Sequence, residues 1–272
     1  MPDKTPSTRI AIIGAGGRMG AALVRCGKET DGVDVVAALE RDGHPALGND
    51  AGTHSGTAGL GIAITADTAP LEHADVFIDF SFHTAVPDHA ALAAELGKGF
   101  VLGATGLTDG ETRAVLDAAG HIPLVWSPNM SLGMNVLLAL VQNAAAALDP
   151  SYDIEIVETH HRHKQDAPSG TALALAEFAA AGRRVELDDV GCYGRKGHTG
   201  ERPEGQIGIH AVRAGGVVGD HIVTLASEFE RIELTHRAGS RDAFATGAIT
   251  AAQWVNGRPP AHYTMRDVLG LA

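Results

Sequence analysis

The first forty residues constrain the fold most. Arg9-Ile-Ala-Ile-Ile13 is a short unbroken apolar run, the pattern of a strand buried on both faces. It passes directly into Gly14-Ala-Gly-Gly-Arg-Met-Gly20 and then into an apolar helical stretch to about Lys28. A second strand, Val33–Leu39, ends in Glu40. Glycines let the backbone turn tightly and approach a pyrophosphate, whose charge then sits on a helix N-terminus. Methionine at position 19 breaks the G-x-G-x-x-G form, and the spacing is instead G-x-x-G-x-x-G through Gly14, Gly17 and Gly20. Gly14, Ala15, Gly16, Gly17, Arg18 and Met19 therefore form a candidate dinucleotide turn. Glu40 stands where a carboxylate accepts bonds from ribose hydroxyls. Arg41 follows, placed either to pair with a 2′-phosphate or as a solvated loop arginine.

The alternation continues. After a Gly/Ala/Asn/Thr-rich surface loop over 42–61, strands are predicted at Ile62–Thr65, Val76–Phe80, Phe100–Leu102 and Pro123–Trp126, with helices between them. Strands alternating with helices make a doubly wound parallel sheet of Rossmann type, an α/β fold. Ligands bind beyond the carboxyl ends of such strands. Gly103, Ala104 and Thr105 after one strand, and Ser127, Pro128, Asn129 and Met130 after another, are therefore candidates to flank a nicotinamide.

The pattern then changes. Ser131 is placed to cap a helix ending before Asp149-Pro150, and Tyr152–Thr159 alternates as a half-buried strand. Further strands are predicted at Ile207–Arg213, His221–Ser227 and Glu230–His236. The glycine-rich link 214–220 predicts an antiparallel hairpin between the first two of these. The segment 194–202 is a polar, basic loop. A smaller α+β domain with a mixed, open sheet is thus expected over 131–240. The dinucleotide domain would span 1–130, completed by a returning tail of an amphipathic helix at Arg241–Asn256 and a closing segment, within 241–272.

After the alternating run Tyr152–Val157, and leading into an Ala/Leu-rich helix capped by Ser169, lies Glu158-Thr-His-His-Arg-His-Lys-Gln-Asp-Ala-Pro-Ser-Gly-Thr171. A strand end meeting a helix start offers free N–H groups and a positive dipole end. Here it also carries His160, His161, Arg162, His163 and Lys164, so an anion is expected beside a histidine able to move a proton. The net charge of −12 makes this local cation cluster the more notable, and it argues against general nucleic-acid binding.

This stretch closely resembles the signature of the 4-hydroxy-tetrahydrodipicolinate (dihydrodipicolinate) reductase family. The resemblance extends to 14–20, 38–41, 76–80, 197–202, 212–215 and 265–269, in matching domain order. It implies NADH- or NADPH-dependent reduction of a cyclic dicarboxylate in the diaminopimelate route to lysine. It implies His160 as proton donor and Lys164 as its catalytic and substrate-binding partner. His161, Gly170 and Thr171 are implied to hold substrate carboxylates, and residues 14–19, 40–41, 103–105 and 127–130 the cofactor. Homotetramers paired through the second domain's sheet are also implied. Ala104, Met130 and Phe82 depart from the commoner threonine, phenylalanine and basic residues of relatives, which leaves NADH against NADPH open.

A rival reading makes His160, His161 and His163 metal ligands, but neighbouring residues on a strand point to opposite faces and no H-E-x-x-H helix exists. No metal is therefore expected. A second rival, a non-catalytic dinucleotide sensor, gives no use for His160 and Lys164 together. Cys26 and Cys192 form no redox or metal motif and read as free thiols of a cytoplasmic protein. No apolar run is long enough for a membrane span, and Met1–Thr8 lacks the apolar core of a signal peptide.

Overall fold

The structure is a computed structural model that describes residues 7–271. The reading of Met1–Thr8 falls mostly outside them. The chain divides into two compact units: one takes the chain to Leu132 and again from Arg241, the other is Gly133–Ser240.

In the first unit the order is β1 (Thr8–Ile13), α1 (Arg18–Glu29), β2 (Val33–Leu39), α2 (Ala51–His54), β3 (Ile64–Thr65), β4 (Val76–Asp79), α3 (Val86–Glu95), β5 (Gly99–Leu102), α4 (Asp109–Ala118) and β6 (Pro123–Trp126). The second unit holds the bulk of α5 (Leu132–Ala147), then β7 (Asp153–His160), α6 (Gly170–Arg183), α7 (Leu187–Val190), β8 (Gly191–Tyr193), β9 (Ile207–Arg213), β10 (Asp220–Ala226) and β11 (Arg231–Arg237). The chain returns to the first unit as α8 (Asp242–Val255), β12 (Ala261–Tyr263) and α9 (Met265–Leu269).

Among the described residues, seven strands of the first unit form a parallel sheet in the order β12-β6-β5-β4-β1-β2-β3. The chain runs outward from β1 to β3, then restarts at β4 on the other side of β1. That reversal is a topological switch point, and it places the Gly14 turn where such sheets bind ligands. Apolar strands covered on both faces explain the burial: β4 and β5 are buried along their whole lengths, with Phe77 and Phe100 fully enclosed. Each contributes about 1.5–3 kcal/mol by leaving water. The tail helix α8 adds Ala245, Ala248, Ile249, Ala252 and Val255 to this core.

The 42–61 segment is more ordered than a plain loop. Asp50 caps α2 by accepting the Thr53 N–H, and it also accepts those of Leu60 and Gly61. One carboxylate thus gathers N–H groups from both ends of this segment, Thr53 and Leu60–Gly61, which periodicity does not reveal. The strands β8 and β12, only three residues each, were likewise not foreseen.

The second unit carries a mixed sheet ordered β11-β10-β7-β9-β8. The hairpin predicted across 214–220 is wrong. β9 and β10 do not pair: β9 runs parallel to β7 on one side and β10 antiparallel on the other. Their link therefore crosses the end of β7 instead of closing a hairpin. The physical reason is that β7, earlier in the chain, takes the central position, and a turn signal cannot show a strand inserted from elsewhere. β10 and β11 form the antiparallel hairpin. β7 alternates perfectly, burying Ile154, Ile156, Glu158 and His160. The two isoleucines pack with Ile207, Ile209, Val223 and Leu225 from neighbouring strands and with α5 and α6.

Candidate active site

The first unit contains a cleft of about 780 Å³ beyond the carboxyl ends of its strands. Gly14 and Gly17, Glu40 and Arg41, and the segment Phe80–Phe82 line it. Gly14 has φ +80°, a conformation open mainly to glycine. Gly20 packs so tightly that a β-carbon there would stand 2.2 Å from the Gly14 carbonyl oxygen. No side chain caps α1, so the N–H groups of its first turn, at Arg18, Met19 and Gly20, are left for an external acceptor. Glu40 accepts the Gly16 N–H at 3.0 Å, so the acidic residue and the turn are locked together. An anionic, close-fitting group with ribose-type hydroxyls suits this cradle.

The other cofactor candidates are placed less uniformly. Ala15 and Met130 are core residues, and Ala104 and Ser127 are buried, leaving mainly their backbone for any ligand. Arg18, Thr105 and Pro128 are exposed, and Asn129 is half-buried. Gly103 lies against the Phe80 ring, with room for no side chain. Residues overlooked in the sequence also line the cleft beside Phe82: Ser81, Thr84 and Ala85 follow β4, and His89 follows on α3. His89 Nδ1 lies 2.8 Å from the fully buried Asp79, whose other oxygen accepts the Ser81 N–H. The signal for them was the end of the strand at Phe80, one of the edges where ligands gather.

The second unit builds its cluster at the end of β7. Side chains two apart on a strand share a face, so Glu158 and His160 both point inward. His160 Nδ1 lies 2.6 Å from Glu158 Oε2. Register brings in the neighbours. β9 sets Arg213 beside His160, and its Nη1 donates to the same Glu158 oxygen at 2.8 Å. β10 sets His221 beside Glu158, with its ring edge-on to that of His160. The Ser169 N–H donates to Glu158 Oε1, while its hydroxyl caps α6 by accepting the Ala172 N–H and lies 3.3 Å from His221 Nε2.

Electrostatics follow from this geometry. Burial alone would raise the Glu158 carboxyl, but Arg213, His160 and the Ser169 N–H together hold it below the usual carboxylate range. Burial pushes His221 down to about 4, aided by the charge of His160, so its imidazole is neutral at pH 7. Lys164 is partly buried and paired with Asp166 at 2.9 Å. His161 Nδ1 is buried without a hydrogen-bond partner among the described residues. Gly170 opens α6 into free space, and Thr171 follows in the same turn. His160, His161, Lys164, Gly170 and Thr171 thus share one end of this unit, whereas Arg162 and His163 are exposed. Glu158, Arg213 and His221 went unassigned from sequence. The i, i+2 spacing could have found Glu158; the other two depend on strand register.

Residues 8–130 match the family model described as "Dihydrodipicolinate reductase, N-terminus", and residues 133–269 match "Dihydrodipicolinate reductase, C-terminus". The chain belongs to this family. It is an oxidoreductase of lysine and diaminopimelate biosynthesis. A 4-hydroxy-tetrahydrodipicolinate reductase of Anaeromyxobacter dehalogenans is 50% identical over 265 residues, covering 97% of this chain and 98% of the relative. One from Alkalilimnicola ehrlichii is 50% identical over 266 residues, covering 97% and 100%. The dipicolinate-bound dihydrodipicolinate reductase of Paenisporosarcina sp. TG-14 superposes with a TM-score of 0.74 at 25% identity, over 95% of this chain and 97% of that one. Among the described residues, no helix is long and apolar enough to cross a membrane.

Proposed function

We propose that the chain reduces 4-hydroxy-tetrahydrodipicolinate to tetrahydrodipicolinate with NADH or NADPH, His160 supplying the proton. The observation that carries this reading is the buried His160 held by Glu158, beside Lys164 and the start of α6. A bound nicotinamide supplies the hydride. The first-turn N–H groups of α1 hold its pyrophosphate, and Glu40 accepts from its ribose. Gly103–Thr105 and Ser127–Met130 flank the nicotinamide, largely through their backbone.

The substrate is a dicarboxylate and needs cations and N–H donors. Lys164 exchanges its Asp166 partner for a substrate carboxylate, and the Gly170–Thr171 turn receives the other, with the unpartnered nitrogen of His161 close in sequence. His160 then delivers its proton. Arg41 is exposed at the rim of the cleft between Glu40 and Asp42. A 2′-phosphate there meets one guanidinium and two carboxylates, so NADH serves at least as well as NADPH.

A homotetramer assembles through the outer face of the five-stranded sheet, which exposes Val212, with Phe229 at the tip of the β10–β11 hairpin. The enzyme works in the cytoplasm. Steady-state oxidation of NADH and NADPH with freshly generated substrate tests the activity, and no turnover refutes it. His160→Gln should cut kcat about 10²–10⁴-fold, the scale of general acid catalysis, with cofactor affinity unchanged. A collapse of cofactor affinity instead removes His160 from the acid role. Light scattering of the purified protein tests the tetramer.

A further inference from the structure

Glu158 has no part yet in the chemistry. Its carboxylate is fully buried, and an isolated carboxylate there would be very costly. Donors from three elements meet it: His160 on β7, Arg213 on β9 and the Ser169 N–H at the start of α6. The Arg213 guanidinium reaches further. Its other nitrogen donates to the Asp166 carbonyl, and the Asp166 side chain holds Lys164. One buried carboxylate therefore connects the histidine to the loop that carries the lysine.

We propose that Glu158 is a positioning residue for the reduction: it binds Nδ1 of His160 so that Nε2 delivers the proton, and through Arg213 it tethers the loop bearing Lys164. The proposal rests on the assignment of the proton to His160. A carboxylate only accepts hydrogen bonds, so its partner nitrogen must carry a hydrogen, which settles the tautomer. The Nε2–H bond then breaks as the proton passes to the substrate atom that gains an electron pair. The imidazole is left neutral with hydrogen on Nδ1, Glu158 stays ionised, and water returns the proton to Nε2.

Space at Nε2 is kept by the 214–219 link, the one that crosses the end of β7. Its Ala214 N–H donates to the His160 carbonyl, and Arg162 N–H donates to Gly215. A β-carbon at Gly219 would stand 3.0 Å from Nε2, so a side chain there would cover the nitrogen that must meet substrate. The charged and titratable groups around His160 are Glu158 on its own strand, Arg213 on β9, His221 on β10 and Lys164 on the following loop. His236 on β11 lies opposite His221. Glu158 is the anion among them.

The test uses the full chain with Glu158→Gln, His160→Gln and the double variant. Glu158→Gln should lower kcat about 10–100-fold, the scale seen where the partner that orients a metal-bound histidine is removed. Substrate KM should rise several-fold, NADH affinity should hold, and the pH profile of kcat should move. In the His160→Gln background the same change should cost less than about two-fold, because residues acting as a unit are not additive. An equal loss in both backgrounds, or an unmoved pH profile, overturns the proposal. Should Glu158→Gln not fold, ¹⁵N spectra of labelled wild type decide: above neutral pH His160 should carry its hydrogen on Nδ1, and hydrogen on Nε2 overturns the proposal. Wild-type turnover by His160→Gln would instead refute the underlying acid assignment, whatever Glu158 does.

Discussion

Two helix starts of the molecule, each a candidate anion site, are built by opposite means. At α1 the helix has no side-chain cap, and the site is backbone: a glycine turn, a row of N–H groups and a close-packed strand. At α6 the helix is capped by Ser169 and surrounded by ionisable side chains whose charges depend on one another. The first can recognise a constant feature, a pyrophosphate that keeps its charge. On the proposed function, the second holds an anion and also changes its own protonation during the reaction. Damage to the first should therefore appear as lost cofactor affinity with little pH dependence, and damage to the second as altered rate and altered pH response.

The strongest way to break this contrast is Gly20→Ala. The new methyl meets the Gly14 carbonyl and the Ala15 backbone, neither of which can yield cheaply. Overpacking on that scale costs about 3 kcal/mol, so NADH affinity should fall about 100-fold by titration calorimetry. Cofactor binding at wild-type strength would show that the turn is not the cradle.

Next comes acid stability. His221 is held at about 4 in the fold, below its ordinary 6.5. A depressed value means that the unfolded chain binds the proton first, so stability is full above about pH 6.5 and is lost as pH falls toward 4. His221→Asn should remove about 2 kcal/mol of the difference between pH 7 and pH 4.5 in urea unfolding. An unchanged difference would mean that this ring is not the one resisting charge.

Gly219→Ala sharpens the same side of the comparison. Its methyl crowds Nε2 of His160 and should slow turnover about ten-fold, an effect of about 1.4 kcal/mol, while NADH affinity stays constant. The smallest effect is expected at Arg41→Ala. An exposed guanidinium contributes about 1 kcal/mol to a phosphate, so KM for NADPH should rise several-fold and that for NADH stay within about two-fold.

Much of the backbone site was legible in the sequence because its determinants are local. Gly14, Gly17 and Gly20, the strand before them and Glu40 after β2 lie within one βαβ unit, and spacing alone sets their relation. The histidine run was legible as a cluster, and Ser169 as its helix cap, for the same reason. What was not legible depends on pairing between distant strands. Arg213 meets Glu158 only because β9 lies parallel to β7 in one register, and His221 only because β10 lies on its other side. A turn pattern at 214–220 suggested the wrong pairing, since it cannot register a third strand lying between the two. Glu158 is the intermediate case. Its spacing from His160 was visible, but its burial was not.

The return of the chain after Ser240 has a consequence for biosynthesis. The residues of the second unit are consecutive, so all of them leave the ribosome before α8 is made. Domains form as units and in the order of synthesis. The histidine end of the protein can therefore mature while the nucleotide sheet still lacks an edge strand and a helix that closes its core. The unit with the parallel sheet is begun before the second unit and closed only after it.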